Sequence, residues 1–147
     1  MLKGISSLIS PELLKDLDMM GHGDMICLGD CNFPSETCGK RTVRADGIKA
    51  TDLLDAIMKV LPLDIDEKEP QVTLMRSTDH PDLVPPVWNE FKKIVHKYEP
   101  KAEFTTEERN GFYAKAQNSF VCVQTSEEQY FGCIILHLSV HRQMNFG

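Results

Sequence analysis

The sequence predicts an α/β fold: a single compact layered domain over residues 1–147, with a central, largely buried sheet flanked by helices. Three observations point there. Short apolar runs, at residues 25–28 and 134–138 for example, have the length and continuity of strands covered on both faces. Segments with apolar residues at helical spacing alternate with those runs along the chain. A chain of 147 residues, 41% hydrophobic and 26% charged, is also long enough for one core of ordinary composition, and it carries no internal repeat or low-complexity tract.

Each element has its own local reason. Ser10-Pro11-Glu12 opens a helix: Ser10 supplies a capping oxygen, Pro11 suits the first helical position and Glu12 favours the positive end. Leu13, Leu14, Leu17 and Met20 follow at helical spacing, and Gly21 supplies the stop. Residues 25–28 read as a buried strand ending at Gly29-Asp30, after which Asn32-Phe33-Pro34 begins a loop. Thr42-Val43-Arg44 reads as a second strand, closed by the turn Asp46-Gly47. Thr51 or Asp52 is expected to cap a helix with Leu53, Leu54, Ile57, Met58 and Leu61 on its apolar side and Pro62 ending it.

Residues 72–75 form a candidate strand, and the polar, proline-rich stretch 77–86 a surface loop. A helix over 87–98 turns Val87, Phe91, Ile94, Val95 and Tyr98 inward. One more helical segment is expected over 112–118. Strands at 120–123 and 134–138 follow, separated by the charged turn Ser126-Glu127-Glu128. Residues 142–147, polar apart from one Phe, are expected to fray.

Composition narrows the partners. A formal net charge of −6 argues against nucleic acid or an anionic membrane, both of which reward clustered Lys and Arg, and leaves small neutral ligands open. No apolar run approaches the ~20 residues of a membrane span, and the N-terminus lacks the basic start and long apolar stretch of a secretory signal. The cysteines, Cys27, Cys31, Cys38, Cys122 and Cys133, are odd in number, and three of them lie in apolar runs. Reduced thiols in a cytoplasmic protein account for this better than a disulfide framework.

The most unusual local feature is Met20-Gly21-His22-Gly23-Asp24. A histidine between two glycines has little crowding around it, and imidazole gives and takes protons near neutrality. It falls where a helix gives way to a strand, which suggests a ligand position in a sheet protein. The same pattern also describes a helix stop followed by a solvent-facing histidine. Asp30 and Asp46 lie at strand ends, where carboxylates orient a histidine, accept sugar hydroxyls or simply serve turns. Arg109 and Tyr113 are four apart and share a face if that stretch is helical. No metal site is expected: His22, Cys27, Cys31 and Cys38 lack the close cysteine pair of structural zinc, and His137 with His141 makes only two ligands. Phosphate-binding and serine-hydrolase motifs are absent from the sequence.

Taken together, Ile9-Ser10-Pro11-Glu12-Leu13-Leu14, Met20-Gly21-His22-Gly23-Asp24, Asn32-Phe33-Pro34 and Arg44-Ala45-Asp46-Gly47 resemble the fucose mutarotase branch of the ribose pyranase/fucose mutarotase family. The likeness continues, in order, through Leu61-Pro62-Leu63-Asp64 and Phe112-Tyr113-Ala114-Lys115-Ala116-Gln117. It implies a compact α/β subunit assembled into rings, commonly a decamer of stacked pentamers, with sites where neighbouring subunits meet and no metal or organic cofactor. It also implies that His22 is the catalytic acid, that Asp30 contacts the sugar, and that Arg109 helps to hold it. Arg44 and Asp46 match a motif whose implied role is support near the site.

The last motif departs from the family pattern. Where the family shows Tyr-Gly-Asn, this chain has Phe131-Gly132-Cys133, still expected to bind substrate through backbone groups. The hydroxyl and amide are gone, and cysteine replaces neither as a hydrogen-bond partner. Tyr130 is one residue off and, in a strand, would point to the opposite side. Losing such a hydrogen bond costs about 0.5–1.5 kcal/mol, so weaker affinity or a different sugar is expected. The implied reaction is exchange of sugar anomers by ring opening and closing, with His22 handling the ring-oxygen proton. Ribose pyranase activity and non-catalytic sugar binding are the alternatives.

Overall fold

The computed structural model describes residues 2–66 and 68–139; the expectations about His141 and about residues 142–147 lie outside them. Six strands form one sheet in the order β2-β5-β1-β6-β3-β4. The strands are β1 (Met25–Gly29), β2 (Thr42–Ala45), β3 (Val72–Met75), β4 (Phe104–Glu107), β5 (Val121–Thr125) and β6 (Ile134–His137). All pairings are parallel except those of β6, which runs antiparallel between β1 and β3. The helices are α1 (Pro11–Met19), α2 (Ser35–Cys38), α3 (Ala50–Met58), α4 (Pro86–Tyr98) and α5 (Arg109–Gln117). None of the helices among the described residues is long and apolar enough to cross a membrane.

Strand alternation sorts the core into two layers. Ile26, Leu28, Val72, Leu74, Val121, Val123, Ile134 and Leu136 turn to the face covered by α1, α3 and α4. Cys27, Cys122, Ile135 and Met75 turn to the other face, under Cys38 of α2 and Phe112 and Ala116 of α5. The sheet is buried on both sides, as the continuous apolar runs predict. The five cysteines are free thiols, and Cys27 and Cys122 are register partners on neighbouring strands.

Most element boundaries follow the local signals. The Ser10 hydroxyl accepts the Leu13 N–H at 3.1 Å, closing the first turn of α1. Two expectations need correction, and one strand goes unannounced in the sequence. Helix α3 starts at Ala50 with Lys49 as its uncapped N-terminal neighbour, so Thr51 and Asp52 lie inside the first turn, where Asp52 still favours the dipole. Helix α5 begins at Arg109, three residues before the first apolar residue of the expected segment. Strand β4 carries no periodic apolar signal because it is the sheet's edge, with all four residues only half-buried.

Candidate active site

Because five strands run parallel, their carboxyl ends share one edge of the sheet, where α/β folds form ligand crevices. There a cavity of about 330 Å³ is lined by Asp30 after β1, Met75 at the end of β3, Arg109 and Tyr113 on α5, and the turn carrying Phe131 and Cys133. Its size lies at the small end of the roughly 300–1,000 Å³ typical of small-molecule sites. A larger groove of about 500 Å³ between α3 and α4 holds charges such as Asp55 and Lys97, which pair with each other at 3.1 Å. It has no comparable convergence of free polar groups with aromatic walls.

Several local devices fix Asp30. Gly29 lets the chain turn tightly: a Cβ there would sit 2.5 Å from the Phe33 ring. The Phe33 ring in turn meets Phe112 and Tyr113 edge-on, with centroids 5.8 and 5.4 Å apart. The Asp30 carboxylate accepts the Asn32 N–H at 3.0 Å, and its carbonyl accepts the Gln124 amide at 2.7 Å. The Asp30 N–H donates to the Cys133 sulfur at 3.4 Å. Burial pushes the Asp30 carboxyl above its ordinary range, against the hydrogen bonds that favour its ionised form. Burial first, and Asp30 second, push the Cys133 thiol well up, so Cys133 offers the cavity an uncharged sulfur. Desolvation likewise raises Tyr113, against the pull of the Arg109 guanidinium.

The turn before β6 corrects the expectation for Tyr130. Phe131 adopts a left-handed backbone with φ of 60°, uncommon for a non-glycine residue, and the Gly132 N–H closes a turn onto the Gln129 carbonyl at 3.2 Å. This stretch is no strand, so the alternation rule does not apply. Tyr130 and Phe131 both line the cavity, and Tyr130 is 81% exposed. Gly132 is required here because a Cβ would sit 2.7 Å from the Glu127 side chain. Asn32, Phe33, Met75 and Tyr130 join the candidate set from geometry; of these, only the Asn32-Phe33-Pro34 motif stands out in the sequence.

His22 lies at the other end of β1. Five strand residues at about 3.3 Å each put roughly 17 Å between the two ends. His22 lines a separate cavity of about 170 Å³ with Gly23, Asp64, Glu69, Gln71 and His137. Its side chain is 50% exposed, and its Nδ1 lies 3.8 Å from the Asp64 carboxylate. The carboxyl-end rule therefore describes Asp30 and not His22, and within one chain Asp30 cannot orient this imidazole. Arg44 and Asp46 also stay out of the Asp30 cavity. They pair with each other, Nη2 to Oδ1 at 2.9 Å, on β2 and its turn, two strands from β1. Any support is indirect, through the Gly47 N–H bonded to Ser126 at 2.7 Å and the Cys31 N–H bonded to the Glu127 carbonyl at 2.8 Å.

Sequence and structure comparisons place this arrangement among known proteins. The profile of the RbsD / FucU transport protein family matches residues 3–141. A fucose mutarotase of Homo sapiens is 40% identical over 144 residues, covering 95% of this chain and 94% of that protein. A fucose mutarotase of Danio rerio is 37% identical over 143 residues, covering 95% and 94%. The crystal structure of the fucose mutarotase from Streptococcus pneumoniae in complex with L-fucose superposes with a TM-score of 0.89 at 34% identity, covering 96% of this chain and 100% of that one. With the family profile spanning nearly its whole length, this chain belongs to the RbsD / FucU transport protein family.

Proposed function

We propose that this protein is an isomerase that interconverts the α and β anomers of L-fucose, working in the cytoplasm without metal or organic cofactor. The carrying observation is the carboxyl-edge cavity: a small, mainly apolar hollow with a carboxylate, a guanidinium and aromatic walls, in a chain akin to fucose mutarotases. A neutral sugar needs this mixture. Hydroxyls require donors and acceptors, and the ring's C–H face packs on aromatic carbon.

In this reading Asp30 accepts a sugar hydroxyl, Arg109 donates to substrate oxygens, and the backbone of Phe131, Gly132 and Cys133 frames the ring. Tyr113 closes the wall. The proton donor comes from a second copy of the chain, whose His22 end abuts this cavity; neither half suffices alone, since β1 holds them apart. His22 protonates the ring oxygen while the anomeric hydroxyl passes its proton to solvent. The ring carbon–oxygen bond breaks, the aldehyde turns its other face, and on reclosure the attacking hydroxyl returns its proton to the imidazole while the carbonyl oxygen takes one back from solvent. The assembly we propose is a homodecamer of stacked pentamers.

Saturation-transfer NMR tests the activity. Irradiating one anomer of L-fucose should drain the signal of the other far faster with protein than without. Transfer on D-ribose ring forms alone would make the protein a pyranase, and fucose binding without transfer would make it a binder; either result contradicts the proposal.

A further inference from the structure

The ring oxygen and the hydroxyl that trade protons during anomer exchange are borne by one carbon. Two groups that serve them must therefore be neighbours, reaching the sugar from one small space. Solvent can take the anomeric proton, but a placed base takes it faster, by about 10²–10⁴-fold.

The cavity of about 170 Å³ that holds His22 holds a second imidazole, His137, at the end of β6. His137 lies two residues beyond Ile135 and so turns to the same face of the sheet, the one covered by α5. Backbone fixes its place: the His137 N–H donates to the Gln71 carbonyl at 3.0 Å, and its carbonyl accepts the Asp64 N–H at 3.3 Å. Its register partner on β1 is Met25, three residues after His22. The ring is half-buried, and among the described residues neither of its nitrogens makes a hydrogen bond. An aliphatic side chain would fill that place without leaving two polar ring atoms unpaired.

The charged groups around the ring come from α5, from the segment before β3 and from His22 itself. Lys115 of α5, anchored on the Thr73 hydroxyl at 3.0 Å and lying 4.0 Å from Glu107, sends its positive charge toward the ring. Burial first and this ammonium second hold His137 below the ordinary imidazole range, against the pull of Asp64 and Glu69. The ordinary value is about 6.5, so the ring is mainly neutral at pH 7 and offers a lone pair. Glu69 is the competing base in the cavity, but it is exposed.

We propose that His137 is a second catalytic residue of the anomer exchange: it takes the proton of the anomeric hydroxyl while His22 gives one to the ring oxygen of the same sugar. This rests on the mutarotase reading, with the sugar gripped by one copy and served by the amino-end cavity of the next. The O–H electron pair becomes the carbonyl π bond, the ring carbon–oxygen pair withdraws onto the ring oxygen, and that oxygen takes the His22 proton. His137 hands its new proton to solvent from its exposed side. On reclosure the carbonyl oxygen recovers one by the same route.

Saturation-transfer NMR at saturating L-fucose, run across pH, tests this. In the native protein kcat should fall on the acid side as His137 takes up a proton, at a pH below the ordinary imidazole range. Proton–carbon NMR of the fucose-saturated protein reads the His137 titration itself. His137→Gln should lower kcat at pH 7 about tenfold to a hundredfold, move KM less than about twofold, and lose that acid limb. Glu69→Gln should keep kcat within about twofold of native. A native acid limb that does not follow the His137 titration overturns the proposal, whether or not the variant folds. So does a His137→Gln protein with native kcat, or exchange lost in Glu69→Gln and kept in His137→Gln. Native protein that exchanges no fucose anomers sinks the underlying reading; active native protein indifferent to His137 sinks this proposal alone.

Discussion

The two ends of β1 differ in every property that matters for chemistry. The carboxyl end is partly buried, walled by Phe33, Tyr113 and Phe131, and holds a carboxylate and a guanidinium around a cavity of about 330 Å³. The amino end is open, built on glycines, and holds a half-exposed imidazole beside a cavity about half that size, 170 Å³. One end can grip a sugar; the other can move a proton. The difference teaches that the two groups of candidate residues face opposite ways in one chain, which is why the proposed reaction calls on two copies.

The comparison can be broken first at the amino end. His22→Ala should cut fucose anomer exchange by about 10²–10⁴-fold, the usual worth of a placed acid–base group, with the thermal midpoint unchanged because the side chain is half-exposed. NMR exchange rates and a melting curve check both halves of that statement.

At the carboxyl end Asp30→Asn should change stability as well as binding. Burial raises the Asp30 carboxyl, so the folded protein binds that proton more tightly than the unfolded chain does. The charge therefore costs stability above the folded value, and the cost fades as pH falls and is gone below the unfolded value of about 3.9. Asp30→Asn should weaken fucose binding by about tenfold or more, as expected for a hydrogen bond to a charged group. It should also raise the melting midpoint at pH 7 by on the order of 1 °C, after discounting for solvent screening. Near pH 3 the gain should vanish, and calorimetry at the two pH values decides it.

Cys133→Asn sharpens the grip itself. Restoring an amide donor and acceptor where a buried thiol now accepts the Asp30 N–H should tighten fucose binding about two- to tenfold by titration. The smallest effect belongs to Arg44→Ala. Its guanidinium pairs with exposed Asp46 outside both cavities, so the exchange rate should stay at the native level and only the melting midpoint should slip slightly.

Much of the fold is legible in the chain because its signals are local. Ser10-Pro11 starts α1, the continuous apolar runs mark β1 and β6, and Gly47 makes its turn with φ of 82°. What is not legible depends on distance. Strand β4 exists because β3 offers it an edge, and Phe104 to Glu107 carry no pattern that says so. Tyr130 reaches the cavity only because Phe131 adopts a left-handed backbone, which nothing in a phenylalanine announces. Asp64 meets His22 because β6 runs antiparallel to β1, bringing residue 138 beside residue 24. His22 stands out between its glycines, but that β1 separates it from Asp30 emerges only from the sheet.

Mixing two impaired variants tests that separation most directly. His22→Ala and Asp30→Asn subunits, each purified alone, then dissociated, reassembled together and assayed at fucose well below saturation, should regain about a quarter of native exchange, since in a symmetric assembly that share of interfaces pairs an intact imidazole with an intact carboxylate. Reassembled mixtures no faster than the average of the two parents would contradict a site shared between chains.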